Sequence, residues 1–120
     1  MTDRVALIRA LFAAYMANNR AAVENAFTDD FRFTSPFDDR IDKASYFERC
    51  WRASDWIARQ QLERIVVDGD AAFVTYQCVA KDGRSFRNTE FFAFDGEAIR
   101  SIDVYFGAAY RDGIFVKQQA

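Results

Sequence analysis

Three Asp-Gly steps, Asp68-Gly69, Asp82-Gly83 and Asp95-Gly96, punctuate a run of β-favouring sequence from Ile57 to Phe106. They constrain the fold more than any other feature. Asp-Gly between alternating segments supplies the positive φ that a tight hairpin turn needs, so each step predicts that the chain doubles back on itself. The segments they divide are IARQQLERIVV, AAFVTYQCVAK with RSFRNTEFFAF, and AIRSIDVYF. An antiparallel meander is the expected result.

The first third of the chain has a different period. Residues 3–17 put Val5, Ile8, Leu11, Phe12 and Tyr15 on one helical face, with Thr2 or Asp3 as N-cap and Asn18-Asn19 as the stop. A second helix over 20–27 presents Val23, Ala26 and Phe27. FRFTSPF then alternates and breaks at Pro36, which reads as a short strand. Asp42 caps a third helix to about Ser54, with Phe47, Cys50, Trp51 and Ser54 on one face. Helices followed by a long antiparallel sheet predict a single α+β domain over 1–120: a curved antiparallel β-sheet wrapped around the N-terminal helices, forming a cone with an apolar pocket.

Composition narrows the function. A chain of 120 residues has room for one sizeable core, and an aromatic share of 17%, with 13 Phe, supplies either a bulky core or the walls of a cavity. The net charge is −2, with charges of both signs interspersed, so neither nucleic acid nor an anionic membrane is an expected partner. The sequence has no histidine, which removes Ser/His/Asp and Cys/His catalysis and histidine metal ligation. Carboxylates, tyrosines, Arg, Lys or Cys must carry any chemistry. Cys50 and Cys78 have no base beside them in sequence and read as small buried apolar residues. The opening residues lack the pattern of a secretion signal and no apolar run approaches a membrane span, so a reducing cytoplasm is the expected location.

Hairpin register places the candidate site. If Asp82-Gly83 is a two-residue turn, Lys81 pairs with Arg84, and Phe73, Thr75, Gln77 and Val79 share a face with Phe86, Asn88, Glu90 and Phe92. Phe walls with a few neutral hydrogen-bonding groups beside a carboxylate make the composition of a ligand pocket. The other face, with Val74, Tyr76, Cys78 and Phe91, is apolar enough to suit a subunit interface. At Asp95-Gly96 a two- or four-residue loop puts Asp103 on the face of Glu90, whereas a three-residue loop with a bulge, the preferred register, sends Ile102, Val104 and Phe106 there and Asp103 outward. Tyr15, Phe33 and Trp51 complete the expected pocket lining.

The order AFTDDFRFTSPFDDRID after two helices and FRNTEFFAFDGEAIRSIDVYFG near the end resembles the SnoaL-like and ketosteroid-isomerase-like branch of the nuclear transport factor 2 superfamily, over about Val5 to Phe106. The resemblance implies a cone of curved sheet and three helices around an apolar pocket, in a homodimer built on the outer sheet face. On the isomerase pattern Glu90 falls where a protonated aspartic acid forms part of the oxyanion hole. The general-base position before the proline is Ser35 here, and the oxyanion tyrosine position is Leu11, with Tyr15 one turn later. Limonene epoxide hydrolase and the SnoaL-type polyketide cyclases are similar branches that use carboxylates differently.

The combined expectation is a pocket protein for a small apolar molecule, with Glu90 as the catalytic carboxyl of a cofactor-free isomerase or cyclase, or of a hydrolase. No cofactor and no metal are expected. The alternatives are a non-catalytic binding protein for a small hydrophobic ligand and a dimeric interaction module with a vestigial pocket. Asp38 and Asp39 follow Pro36 closely, but the sequence does not place them.

Overall fold

The computed structural model describes residues 3–117. Helix α1 spans Arg4–Met16 and α2 spans Arg20–Ala26. Asp3 caps α1 by accepting from the Ala6 N–H at 3.0 Å, and Asn19 caps α2 through the Ala22 N–H at 3.2 Å. Thr2, the other expected cap, lies outside the described residues. Helix α3 spans Lys43–Cys50, capped by Asp42 through the Ser45 N–H at 2.9 Å. It stops short of Ser54 because Trp51 is extended and Arg52 takes a φ of +72°. A helix that ends there turns Trp51 away from the continuing helical path.

The strands are β1 (Phe27–Ser35), β2 (Asp38–Asp42), β3 (Ile57–Asp68), β4 (Ala71–Ala80), β5 (Ser85–Asp95), β6 (Ala98–Arg111) and β7 (Ile114–Val116). They form one curved, unclosed sheet in the order β2-β1-β6-β5-β4-β3, with β7 also paired to β6. The sheet is mixed rather than wholly antiparallel, because β1 runs parallel to β6, with Phe33 beside Ile102 and Thr34 beside Asp103. β1 precedes the meander in sequence and reaches β6 only through long-range pairing, so no hairpin signal marks it.

β2 is an edge strand made of Asp-Asp-Arg-Ile-Asp, joined to β1 by a tight turn at Pro36-Phe37. Its charge suits an edge that must not recruit further strands. β7 is closed by a fourth Asp-Gly step, Asp112-Gly113, both residues at positive φ. That signal lay in the sequence beside the other three.

The hairpin between β4 and β5 corrects the expected register by one residue. The Ala80 N–H bonds to the Arg84 carbonyl at 2.8 Å and the Gly83 N–H to the Ala80 carbonyl at 3.0 Å, leaving Lys81, Asp82 and Gly83 as a three-residue loop. Gly83 supplies the φ of +92° such a loop needs. Val74 therefore pairs with Glu90, Tyr76 with Asn88 and Cys78 with Phe86, while Phe73, Thr75 and Gln77 pair with Phe91, Thr89 and Arg87. Because side chains alternate with period two, the slip exchanges the whole of β4 between the faces and leaves β5 as expected. Asp95 and Ala98 close a two-residue turn rather than the preferred three-residue loop, but a bulge between Ala93 and Phe94, beyond the turn, still sends Ile102 and Val104 inward and Asp103 outward.

The helices pack on the concave face. Ile8, Phe31, Phe92, Ile99 and Ile102 are fully buried there, and Phe27 stacks on Phe31 with ring centroids 4.0 Å apart. Among the described residues no helix is long and apolar enough to cross a membrane.

Candidate functional site

A cavity of about 740 Å³ opens between the concave sheet face and the helices. That is the size of a pocket for a drug-sized molecule. Its inner wall is built from α1, β4, β5 and β6. Its rim carries Phe37, Trp56 and Phe106, all substantially exposed, with Phe37 and Phe106 rings 5.4 Å apart and Trp56 stacked on Phe86 at 5.9 Å.

Of the residues expected to line a pocket, Glu90, Tyr15, Phe33, Trp51, Phe86, Asn88 and Phe106 do line it. Phe73, Thr75 and Gln77 do not; the one-residue register difference puts them on the outer face, where the Thr75 and Thr89 hydroxyls pair at 2.9 Å and the Phe73 and Phe91 rings lie 4.9 Å apart. Phe92 is inward but fully buried in the core beneath the cavity. In place of the lost three the other set of β4 enters, Tyr76 and Cys78, together with Gln60 from β3. Tyr46 of α3 was also missed, although it stands one helical turn before Cys50. Asp38 and Arg49 also line the cavity. β2 carries too little β-favouring sequence to reveal Asp38.

The hydrogen bonds around Glu90 have a readable direction. The Gly107 N–H donates to Asn88 Oδ1 at 3.3 Å, which leaves the Asn88 Nδ2 hydrogens facing the Tyr76 hydroxyl, 3.2 Å away. The Tyr76 oxygen thus accepts from Asn88, which leaves its one proton available to the neighbouring Glu90 carboxyl. Burial lifts the Glu90 carboxyl to about 7, and the Tyr76 hydrogen bond opposes that rise. The surface Glu90 retains lies on the cavity lining. A carboxyl poised there can hold or release a proton at neutral pH.

The surrounding groups stay neutral. Burial raises the Tyr76 phenol well above its ordinary value, and the nearby Glu90 adds to the effect. Tyr15 and Tyr46 share a hydrogen bond across the gap between α1 and α3, and burial pushes both phenols up. Burial likewise raises the Cys50 thiol to about 11, helped by Asp38, and the Cys78 thiol to about 12. Neither thiol is a thiolate nucleophile at neutral pH. Among the described residues no group of His, Cys, Asp and Glu is arranged to hold a metal ion.

Comparison with known proteins identifies the architecture. The chain superposes on an NTF2-like protein of unknown function from Cytophaga hutchinsonii with a TM-score of 0.73 and 16% identity, over 88% of this chain and 91% of that one. A protein from Kribbella flavida, provisionally named a ketosteroid isomerase, gives 0.73 and 18%, over 96% and 89%. One from Sinorhizobium meliloti, provisionally named a polyketide cyclase, gives 0.68 and 19%, over 82% and 93%. At these identities the likeness is one of fold. No curated protein matches the chain. The sequence profile of the SnoaL-like domain matches residues 8–102, most of the helical layer and the sheet that form the cavity, and the chain belongs to the SnoaL-like domain family.

Proposed function

We propose that this protein binds a small, largely apolar molecule in the cavity and transfers a proton to or from it through Glu90, as a cofactor-independent isomerase or cyclase. The observation that carries this reading is the placement of Glu90 on the cavity wall beside Tyr76 and Asn88, where burial lifts the carboxyl to about 7. When protonated, Glu90 offers an O–H to a ligand carbonyl while its other oxygen accepts from Tyr76. When ionised, it offers a base. The provisional names of two fold relatives, an isomerase and a cyclase, support the same class of chemistry. Hydrolysis has less support, since the cations lining the cavity stand beside carboxylates other than Glu90.

The test is a screen of small carbonyl compounds for turnover, followed by Glu90→Gln. The substitution keeps the shape and an acceptor for Tyr76 but removes the ionisable proton, so turnover of any substrate found should fall at least about a hundredfold. Unchanged turnover would remove Glu90 from catalysis. Ligand-dependent stabilisation without product from any compound would favour a plain binding protein.

Homodimerisation through the outer sheet face belongs to the same proposal. Phe73 is 49%, Val66 57% and Tyr105 60% exposed on the strands of that sheet, a lining that suits a subunit contact. A monomeric mass at micromolar concentration would overturn it.

A further inference from the structure

We infer that Arg84, at the mouth of the cavity, is an anion site, and that the ligand is an apolar carboxylic acid whose carboxylate pairs with Arg84 while its hydrocarbon body fills the cavity. The inference rests on the reading that the cavity takes a small apolar molecule, and it names the group such a ligand carries. Arg84 follows the turn between β4 and β5 and lines the cavity. Asp82 holds it in one pose: Asp82 Oδ1 accepts from the Arg84 N–H at 3.0 Å, and Oδ2 accepts from Arg84 Nε at 2.8 Å. That uses one corner of the guanidinium. Nη1 and Nη2 have no acceptor among the described residues, so the end of the fork, which matches the two oxygens of a carboxylate, is left unpaired. The Arg84 side chain is 34% exposed, which leaves that end open to a ligand.

Charge and position favour the same ligand. Asp82 is shared by two guanidinium groups, because Arg111 Nη2 lies 3.8 Å from the same Oδ2. The three side chains thus carry one net positive charge, and neither arginine pairs with another described carboxylate. One monoanion balances it. The other arginines lining the cavity are committed to carboxylates of the same lining, Arg49 to Asp38 at 2.9 Å and Arg52 to Asp55 at 3.1 Å, so the excess is confined to the Arg84 end. Beside Arg84 the Trp56 and Phe86 rings stack, and the Lys81 N–H bonds to the Trp56 carbonyl at 2.9 Å, which ties that aromatic wall to the turn. An apolar chain lying on these rings leads from Arg84 into the cavity. Arg84 immediately precedes β5, and Phe86, Asn88 and Glu90 line the cavity at alternate positions after it. Arg84 and Glu90 are therefore separated by about 20 Å of backbone, less between their side chains. A carboxylate at Arg84 keeps its charge away from Glu90, where burial already disfavours one anion.

The probes are phenylhexanoate, its primary amide and phenylhexylammonium, titrated at neutral pH against the folded protein through the fluorescence of Trp51 and Trp56, both on the cavity wall. The acid should bind roughly tenfold more tightly than the amide, since a charge-assisted pair replaces a neutral hydrogen bond, and the ammonium should bind more weakly than either. Arg84→Met keeps the apolar stem and the backbone bonds of the turn, and should bring acid and amide within about twofold of each other. Arg84→Lys keeps the charge without the fork and should cut the preference at least about threefold, a check that stands even if the methionine variant folds poorly. Glu90→Gln should leave the preference in place. A preference that survives both Arg84 substitutions, its loss in Glu90→Gln, or tighter binding of the ammonium would each overturn the inference. Equal binding of acid and amide overturns the anion site and leaves the apolar cavity standing; no binding of any probe at millimolar concentration overturns both.

Discussion

Asn88 Nδ2 donates to the Tyr76 hydroxyl at 3.2 Å directly across the β4–β5 ladder, and that bond decides which way the tyrosine's own proton points. The proton is left for Glu90, where it stabilises the ionised carboxylate and opposes the effect of burial. Tyr76→Phe should therefore move the Glu90 midpoint upward from about 7. Carboxyl infrared or carbon NMR titration would report it, and a midpoint that fell or stayed put would contradict the hydrogen-bond direction assigned here.

Glu90 also makes stability depend on pH. Its folded midpoint of about 7 lies above the ordinary value of 4.5, so between those values the folded chain holds a proton that the unfolded chain has lost. Stability from this group is complete below about pH 4.5, declines as pH rises and is exhausted above about pH 7. The loss should amount to about 1–3 kcal/mol, allowing for the part of Glu90 that faces the cavity. In urea unfolding, Glu90→Gln should flatten the profile between pH 5 and 7.5 and stabilise the protein at pH 8. A wild-type profile that stays flat over this interval after subtraction of the variant's would show that Glu90 is solvated in the native state.

Gly107 stands on β6 against the backbone of Arg87 on β5. A Cβ there would sit 2.0 Å from the Arg87 carbonyl oxygen, which is backbone and cannot turn aside. Gly107→Ala should cost about 2–3 kcal/mol. Because the Gly107 N–H holds Asn88 Oδ1, the variant should also disturb the Glu90 titration, joining a packing defect to the site. A urea midpoint equal to that of the unaltered protein would mean the bulged β5–β6 pairing opens freely.

Arg4 ties the start of α1 to two hairpin turns. Its guanidinium donates to the Gly69 carbonyl at 2.6 Å and the Gly96 carbonyl at 3.0 Å, pairs with Asp70 at 3.0 Å, and lies 5.0 Å over the Phe94 ring. Arg4→Met keeps most of the apolar stem and removes the donors, leaving two carbonyls to water. The expected loss is about 2 kcal/mol, nearly all from the hydrogen bonds and little from the exposed Asp70 pair. Asp70→Asn is the control, and a loss from it as large as that from Arg4→Met would reverse that apportioning.

The fold was legible because its strongest signals are local. Asp3, Asn19 and Asp42 cap the helices their spacing announces, and Asp-Gly steps mark the turns of the meander. Alternation along β5 also put Glu90, Asn88 and Phe86 on the cavity side. What could not be read depended on a partner strand or a turn's length. Tyr76 and Thr75 are equally good β residues, and only the hydrogen bond between Ala80 and Arg84 chooses between them. Asp38 lies in a strand whose composition reads as polar loop, and the parallel pairing of β1 with β6 joins residues some seventy positions apart.

The turn at Lys81-Asp82-Gly83 has a consequence for the interior of the protein. β4 carries two complete sets of side chains, phenol and thiol at Tyr76 and Cys78 on one side, hydroxyl and amide at Thr75 and Gln77 on the other. Deleting one residue from the turn, with β5 held in place, would exchange these sets without changing a single letter of either strand. The chemistry presented to a ligand is thus written twice in β4, and the length of a solvent-exposed loop selects the version that is expressed.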